Sequence, residues 1–144
     1  MIAIDTNVLL RYLLADDDIQ SGKAQRLILG EEKVLITDVT LTETIWTLKG
    51  KRYNLGKEHL IDVIHALFSE RNIVFEDGNV IWSALKDFTN APRIKSGGKT
   101  KQADFPDALI INKSFKHGQL ANDEVTAVYT FDKAALEIKG TKLP

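Results

Sequence analysis

Five carboxylates, Asp5, Glu43, Asp104, Asp107 and Asp132, recur in equivalent places, just after an apolar strand-like run or within the first turn of the helix that follows it. Asp5 ends Ile2-Ala3-Ile4, Asp132 follows the run Val125 to Thr130, and Asp104 and Asp107 stand at i, i+3 on one helix face. Carboxylates gathered at one edge repel each other, and a hard cation relieves the repulsion. Oxygen ligands without His or Cys select Mg2+ or Mn2+ over zinc. Such a site activates water and neutralises a phosphodiester during an in-line displacement, so this donor set favours phosphate-ester chemistry. Each residue taken singly also has a structural reading. Thr40-x-x-Glu43 matches a capping box, Asp104 is an N-cap with Pro106 in the first turn, and Asp5 and Asp132 are caps of the helices they precede. It is the joint pattern that favours a site.

The elements that must position these groups follow from periodicity. Met1 to Leu14 reads as strand, carboxylate, helix; a strand with no polar face belongs inside a covered parallel sheet, whose ligands bind at the carboxyl ends of the strands. Asp16-Asp17-Asp18 opens a second helix closed by Gly30, and Lys33 to Thr37 is a second strand. A third helix runs from about Thr40 to Arg52 with Leu41, Ile45 and Leu48 on one face, and a fourth from Lys57 to Glu70. Ile73 to Phe75 is a third strand, Asp77-Gly78 starts a helix ending near Asn90, and Asp104 to Lys116 is the next. Val125 to Thr130 is a fourth strand and Asp132 to Ile138 a last short helix. Strands alternating with helices predict an α/β fold, a mostly parallel sheet with helices on both faces, in a single domain spanning residues 1–144.

Composition bounds the rest. A chain of 144 residues buries roughly 70% of its unfolded surface without a covalent staple. The sequence holds no Cys, which removes disulfides, thiolate metal sites and Cys nucleophiles and fits a reducing compartment, with the cytoplasm as the expected location. No signal-like segment and no membrane-length apolar run is read, so no membrane is expected. With a net charge of −1, a nucleic acid has to be held by a local basic patch. Arg93, Lys95, Lys99 and Lys101, set around Gly97-Gly98 without an acidic residue, are the candidates; the stretch reads as a mobile surface loop that is either merely solvated or touches RNA phosphates.

The chain resembles a PIN domain, specifically the VapC-type toxin ribonucleases of toxin–antitoxin pairs. The likeness covers essentially the whole chain and rests on IDTNVLLRYL at the start, T-x-x-E in the third helix, ADFPDALI at Ala103 to Ile110, and VYTFDKAA at Val128 to Ala135. It implies a PIN-like α/β/α sandwich and a Mg2+- or Mn2+-dependent endoribonuclease with Asp5, Glu43, Asp107 and Asp132 as metal-holding catalytic residues and Asp104 as an additional carboxylate. Thr6, Asn7 and Thr130 match supporting polar positions, where hydroxyl or amide groups orient a carboxylate or a water. It further implies products with a 5′-phosphate and a 3′-hydroxyl, a homodimer, and a cognate antitoxin. Since the sequence stops at Pro144, the final edge strand of many members is expected to be short or missing.

Other signals weaken on inspection. Gly97-Gly98-Lys99-Thr100 ends like a Walker A loop, but Arg93 stands where its first Gly is required. Asn7 replaces the second Asp of an aspartyl-phosphate phosphatase. His59, His65 and His117 show no ligand or triad spacing, and Trp46 and Trp82 read as packing or subunit-interface residues. Two other functions share these residues: a structure-selective DNA nuclease, which needs an added DNA-gripping element, and a non-catalytic PIN-like interaction module, which should lack acidic positions.

Overall fold

The computed structural model describes residues 1–144 and separates into two units, Met1–Gly78 and Asn79–Pro144. In the first, β1 (Ile2–Ala3), β2 (Val34–Ile36) and β3 (Ile73–Phe75) form a parallel sheet in the order β1-β2-β3, with Ile2 opposite Val34 and Leu35 opposite Val74. Helices α1 (Thr6–Leu14) and α2 (Asp18–Ile28) link β1 to β2, and α3 (Asp38–Lys49) and α4 (Lys57–Ser69) link β2 to β3. These are the crossovers that a parallel pairing requires.

The caps are local and sequence-encoded. Asp17 opens α2 by accepting the Gln20 N–H at 2.8 Å, and α1 ends at Ala15 in a left-handed conformation, φ 48°. The third helix starts earlier than its apolar pattern suggests: Thr37 is the N-cap and accepts the Thr40 N–H at 3.2 Å. Thr40 and Glu43 therefore do not form a capping box, and Glu43 lies inside the helix. Leu9, Ile28, Val34, Ile36, Leu41, Ile45, Ile64 and Leu67 are fully or almost fully buried and make the core of this unit. Burying them is the main favourable term in its stability, roughly 1.5–3 kcal/mol for each large aliphatic side chain. The Tyr12 hydroxyl donates to Glu70 Oε1 at 2.5 Å and ties α1 to the end of α4; burial, then the Glu70 contact, pushes the phenol up to about 12.

In the second unit α5 (Gly78–Asn90) buries Val80, Ile81, Ala84, Leu85 and Phe88, the face its periodicity predicts. Phe88 meets the buried Phe105 of α6 (Phe105–Ala121) edge-on, with ring centroids 6.1 Å apart. The long helix continues past Lys116 until Asn122 takes the left-handed C-cap, φ 54°. Between α5 and α6 the stretch expected to be a mobile loop is an antiparallel hairpin, β4 (Ile94–Ser96) with β5 (Lys99–Lys101). Gly97 and Gly98 both have positive φ, 60° and 76°, as a two-residue hairpin turn of this hand requires. Gln102 Nε2 donates to the Ala91 carbonyl at 2.8 Å and closes the base of the hairpin.

The fourth parallel strand is shorter than its apolar run: β6 covers Val128–Tyr129 and pairs in parallel with β7 (Thr141–Lys142), the short final strand. The last helix is a single 3-10 turn, Ala135–Glu137. Six helices with parallel strands make this an α/β protein, as the alternation of elements predicts. No helix is long and apolar enough to cross a membrane.

Candidate active site

In the first unit the site is built from the carboxyl end of β1. Asp5 is the N-cap of α1, extended at φ −90° and ψ 176°, and its Oδ1 accepts the Val8 N–H at 2.9 Å. The helix then turns Thr6 and Asn7 outward beside it. Thr40 of α3, buried, donates its hydroxyl to the Ile4 carbonyl at 3.4 Å and so seats α3 against the residue before Asp5. One turn later Glu43 reaches the same place, and Thr6 Oγ1 donates to Glu43 Oε2 at 2.6 Å. The short distance marks a bond to a charged acceptor, stronger than a neutral one and able to fix the rotamer of an exposed glutamate. Asp5 and Glu43 thus each have one oxygen engaged by the chain itself.

In the second unit the carboxylates lie at the start of α6 and after β6. Asp104 caps α6 by accepting the Asp107 N–H at 2.9 Å, while Asp107 Oδ2 accepts the Asp104 N–H at 3.3 Å, a reciprocal box with Pro106 in the first turn. The structural reading of Asp104 therefore holds. It does not exclude a functional one, because the box brings two carboxylates face to face. Asp107 is half-buried, and burial, then the Asp104 charge and a carboxyl–carboxyl hydrogen bond with it, and lastly the Asp132 charge, push its carboxyl up to about 6; the Asp104 N–H opposes this only in part. Asp132 Oδ1 accepts the Ala134 and Ala135 N–H groups at 2.8 and 3.1 Å, so it too is a cap. Thr130 Oγ1 accepts the Asp132 N–H at 3.0 Å and sets the turn that aims Asp132.

All five acidic positions sit at a strand end, a helix start or one helical turn from one. They do not form a ready-made cage: no group of three or more His, Cys, Asp or Glu side chains is arranged to hold a metal ion. The physical reason is visible in each residue. Asp5, Glu43, Asp104 and Asp132 each accept an N–H or hydroxyl, and Asp107, facing Asp104 from a half-buried position, has its carboxyl pushed up. The donor chemistry nevertheless suits a hard divalent cation, being all oxygen.

The basic residues are arranged less favourably than the sequence implies. In the hairpin register Lys95 stands opposite Thr100, while Lys99 and Lys101 stand opposite Ser96 and Ile94. Alternation puts Lys99 and Lys101 on one face and Lys95 on the other, with Arg93 in step with Lys95 just before the strand. The four charges are thus split over two faces of an ordered hairpin.

Trp46, read from the sequence as a packing or subunit-interface residue, is not packed within the chain but 66% exposed. With Thr6, Asn7, Leu10, Thr42, Glu43 and Thr47 it lines an open cleft of about 480 Å³. The signal for this was present in the sequence: Trp46 lies at i+3 from Glu43 and off the Leu41, Ile45, Leu48 stripe.

No characterised relative matches the chain significantly. The PIN domain matches residues 2–140, through both units and through every acidic position described above. On that match, and on the carboxylates at the ends of parallel strands, the chain belongs to the PIN-domain family.

Proposed function

We propose that the protein is a Mg2+- or Mn2+-dependent endoribonuclease, the toxin of a type II toxin–antitoxin pair. PIN domains are typically nucleases and generally use divalent metal ions. The observation that carries the reading is the PIN-domain match over residues 2–140, which runs through Asp5, Glu43, Asp104, Asp107 and Asp132; the upward push on the Asp107 carboxyl by burial and by Asp104 and Asp132 agrees with a place where a cation would be taken up.

In this reading Asp5, Glu43, Asp107 and Asp132 hold the metal, with Asp104 beside them. The ion supplies Lewis acidity and a lowered pKa for a bound water. The chain supplies orientation. Thr6 holds Glu43 in one rotamer, Thr130 and the Ala134 and Ala135 N–H groups hold Asp132, and Asp107, its carboxyl pushed up by burial and by Asp104 and Asp132, would gain most from a cation. The homodimer and the antitoxin follow from the resemblance to VapC-type toxins and belong to the proposal, as does a single domain over residues 1–144.

A second reading, a PIN-like module that only binds a partner, draws on the absence of a preformed three-carboxylate group. One experiment separates the two. Purified protein is incubated with single-stranded RNA in Mg2+, in Mn2+ and in excess chelator. Cleavage that needs the ion and disappears in Asp132→Asn supports the nuclease; no cleavage under any condition supports the binding module.

A further inference from the structure

The cleft beside Glu43 has the chemistry of a base pocket rather than a phosphate groove. No Lys or Arg lines it. Its lining joins the apolar Leu10, 5% exposed, and Trp46 to the Asn7 amide, the Glu43 carboxylate and the hydroxyls of Thr6, Thr42 and Thr47, of which those of Thr6 and Thr47 donate to Glu43 and keep acceptor capacity. Apolar surface together with hydrogen-bonding groups suits a flat heteroaromatic ring with a polar perimeter, and the volume lies within the range of sites for small ligands. Leaving an indole two-thirds in water forgoes the large gain of burying it. Here the exposed indole stands one helical turn from a site carboxylate that a hydroxyl holds fixed.

We propose that this cleft is the subsite for one unpaired nucleobase of the substrate strand, with Trp46 as its stacking platform. The inference rests on the nuclease reading above. Stacking on an aromatic face needs a base whose own faces are not already covered, which a duplex does not offer. Because Glu43 and Trp46 share one rigid helix, a base on the indole fixes the position of its neighbouring phosphate relative to Glu43. Trp46 is then a positioning residue: it holds the substrate strand and takes no part in bond breaking.

The test uses the full chain with Trp82→Phe, which leaves Trp46 as the only indole. Single-stranded oligo(A) is titrated in Ca2+, whose looser coordination holds phosphates without matching Mg2+ geometry, and the emission is followed. Saturable quenching by the single strand, and little by the same strand annealed to oligo(U), is expected. In Mg2+, Trp46→Ala should raise KM about tenfold or more with kcat nearly unchanged, and Trp46→Phe should restore most of the loss. If RNA is cleaved but the emission stays flat and KM is the same in Trp46→Ala, the subsite is wrong while the nuclease stands. Should Trp46→Ala convert a dimer to a monomer without altering KM, the face belongs to a second copy and the inference is likewise overturned. If the parent neither binds nor cleaves RNA, the nuclease reading fails and this one fails with it. The quenching arm leaves Trp46 intact, so a folding defect in Trp46→Ala does not remove the test.

Discussion

The carboxylates of the N-terminal unit and those of the C-terminal unit are stabilised in opposite ways. Asp5 and Glu43 are exposed and each meets a donor, the Val8 N–H and the Thr6 hydroxyl. Asp104, Asp107 and Asp132 also accept backbone N–H groups, but Asp107 in addition faces carboxyl groups from a half-buried position, and its carboxyl is pushed up to about 6. The first arrangement orients charge and the second stores charge that has no counter-ion.

The largest effect tests the C-terminal side of this contrast. Chelation, or Asp132→Asn, should reduce RNA cleavage below detection, since in the proposed reaction the ion that these carboxylates would hold activates the water. Cleavage persisting in excess chelator would break the metal mechanism outright. On the N-terminal side, Thr6→Val removes the bond that fixes Glu43 and should lower cleavage about tenfold or more, as loss of a partner to a metal ligand does, while changing stability by no more than about 1 kcal/mol. Unchanged rates in Thr6→Val would mean that Glu43 needs no orientation.

The stored charge also has a pH signature. Asp107 has a folded-state value raised from 3.8 to about 6, so between these values the folded chain binds more protons than the unfolded one. Its contribution to stability is therefore greatest below about 4 and is lost as pH rises through about 6. Discounted for the water that reaches a half-exposed group, the loss is roughly 1 kcal/mol. Thermal melting in chelator should follow that trend in the parent and lose it in Asp107→Asn, which keeps an oxygen for the Asp104 N–H. Mg2+ should raise the melting temperature of the parent more than that of the variant. If Asp107→Asn melts well below the parent at neutral pH, Asp107 is a structural cap and the contrast between the units is false.

The smallest effect concerns the hairpin. Because its basic residues occupy two faces, Lys99→Gln with Lys101→Gln and Arg93→Gln with Lys95→Gln should not be equivalent. Only the pair on the substrate side should weaken RNA binding and flatten its salt dependence, by about 0.7 in slope per lost contact with a single strand. Equal and negligible effects of both pairs would leave the hairpin without a role in RNA binding.

What the sequence determined by itself was whatever a few neighbouring residues decide. The buried faces of α3 and α5, the strands of the first sheet, and the caps at Asp5, Asp17 and Asp104 all depend on groups within about one helical turn or one strand repeat. The hairpin was legible in the same way, in Gly97-Gly98 flanked by alternating residues, but the density of charge was read in its place. The tertiary structure alone decided the contacts between distant residues. The Thr6 bond to Glu43 spans 37 positions, and the pairing of β6 with β7 joins two strands of two residues each, too short to carry a pattern. The upward push on the Asp107 carboxyl belongs to this second class. Carboxylates can be counted in a sequence, but whether one keeps its charge depends on the burial and the neighbouring charges that folding imposes.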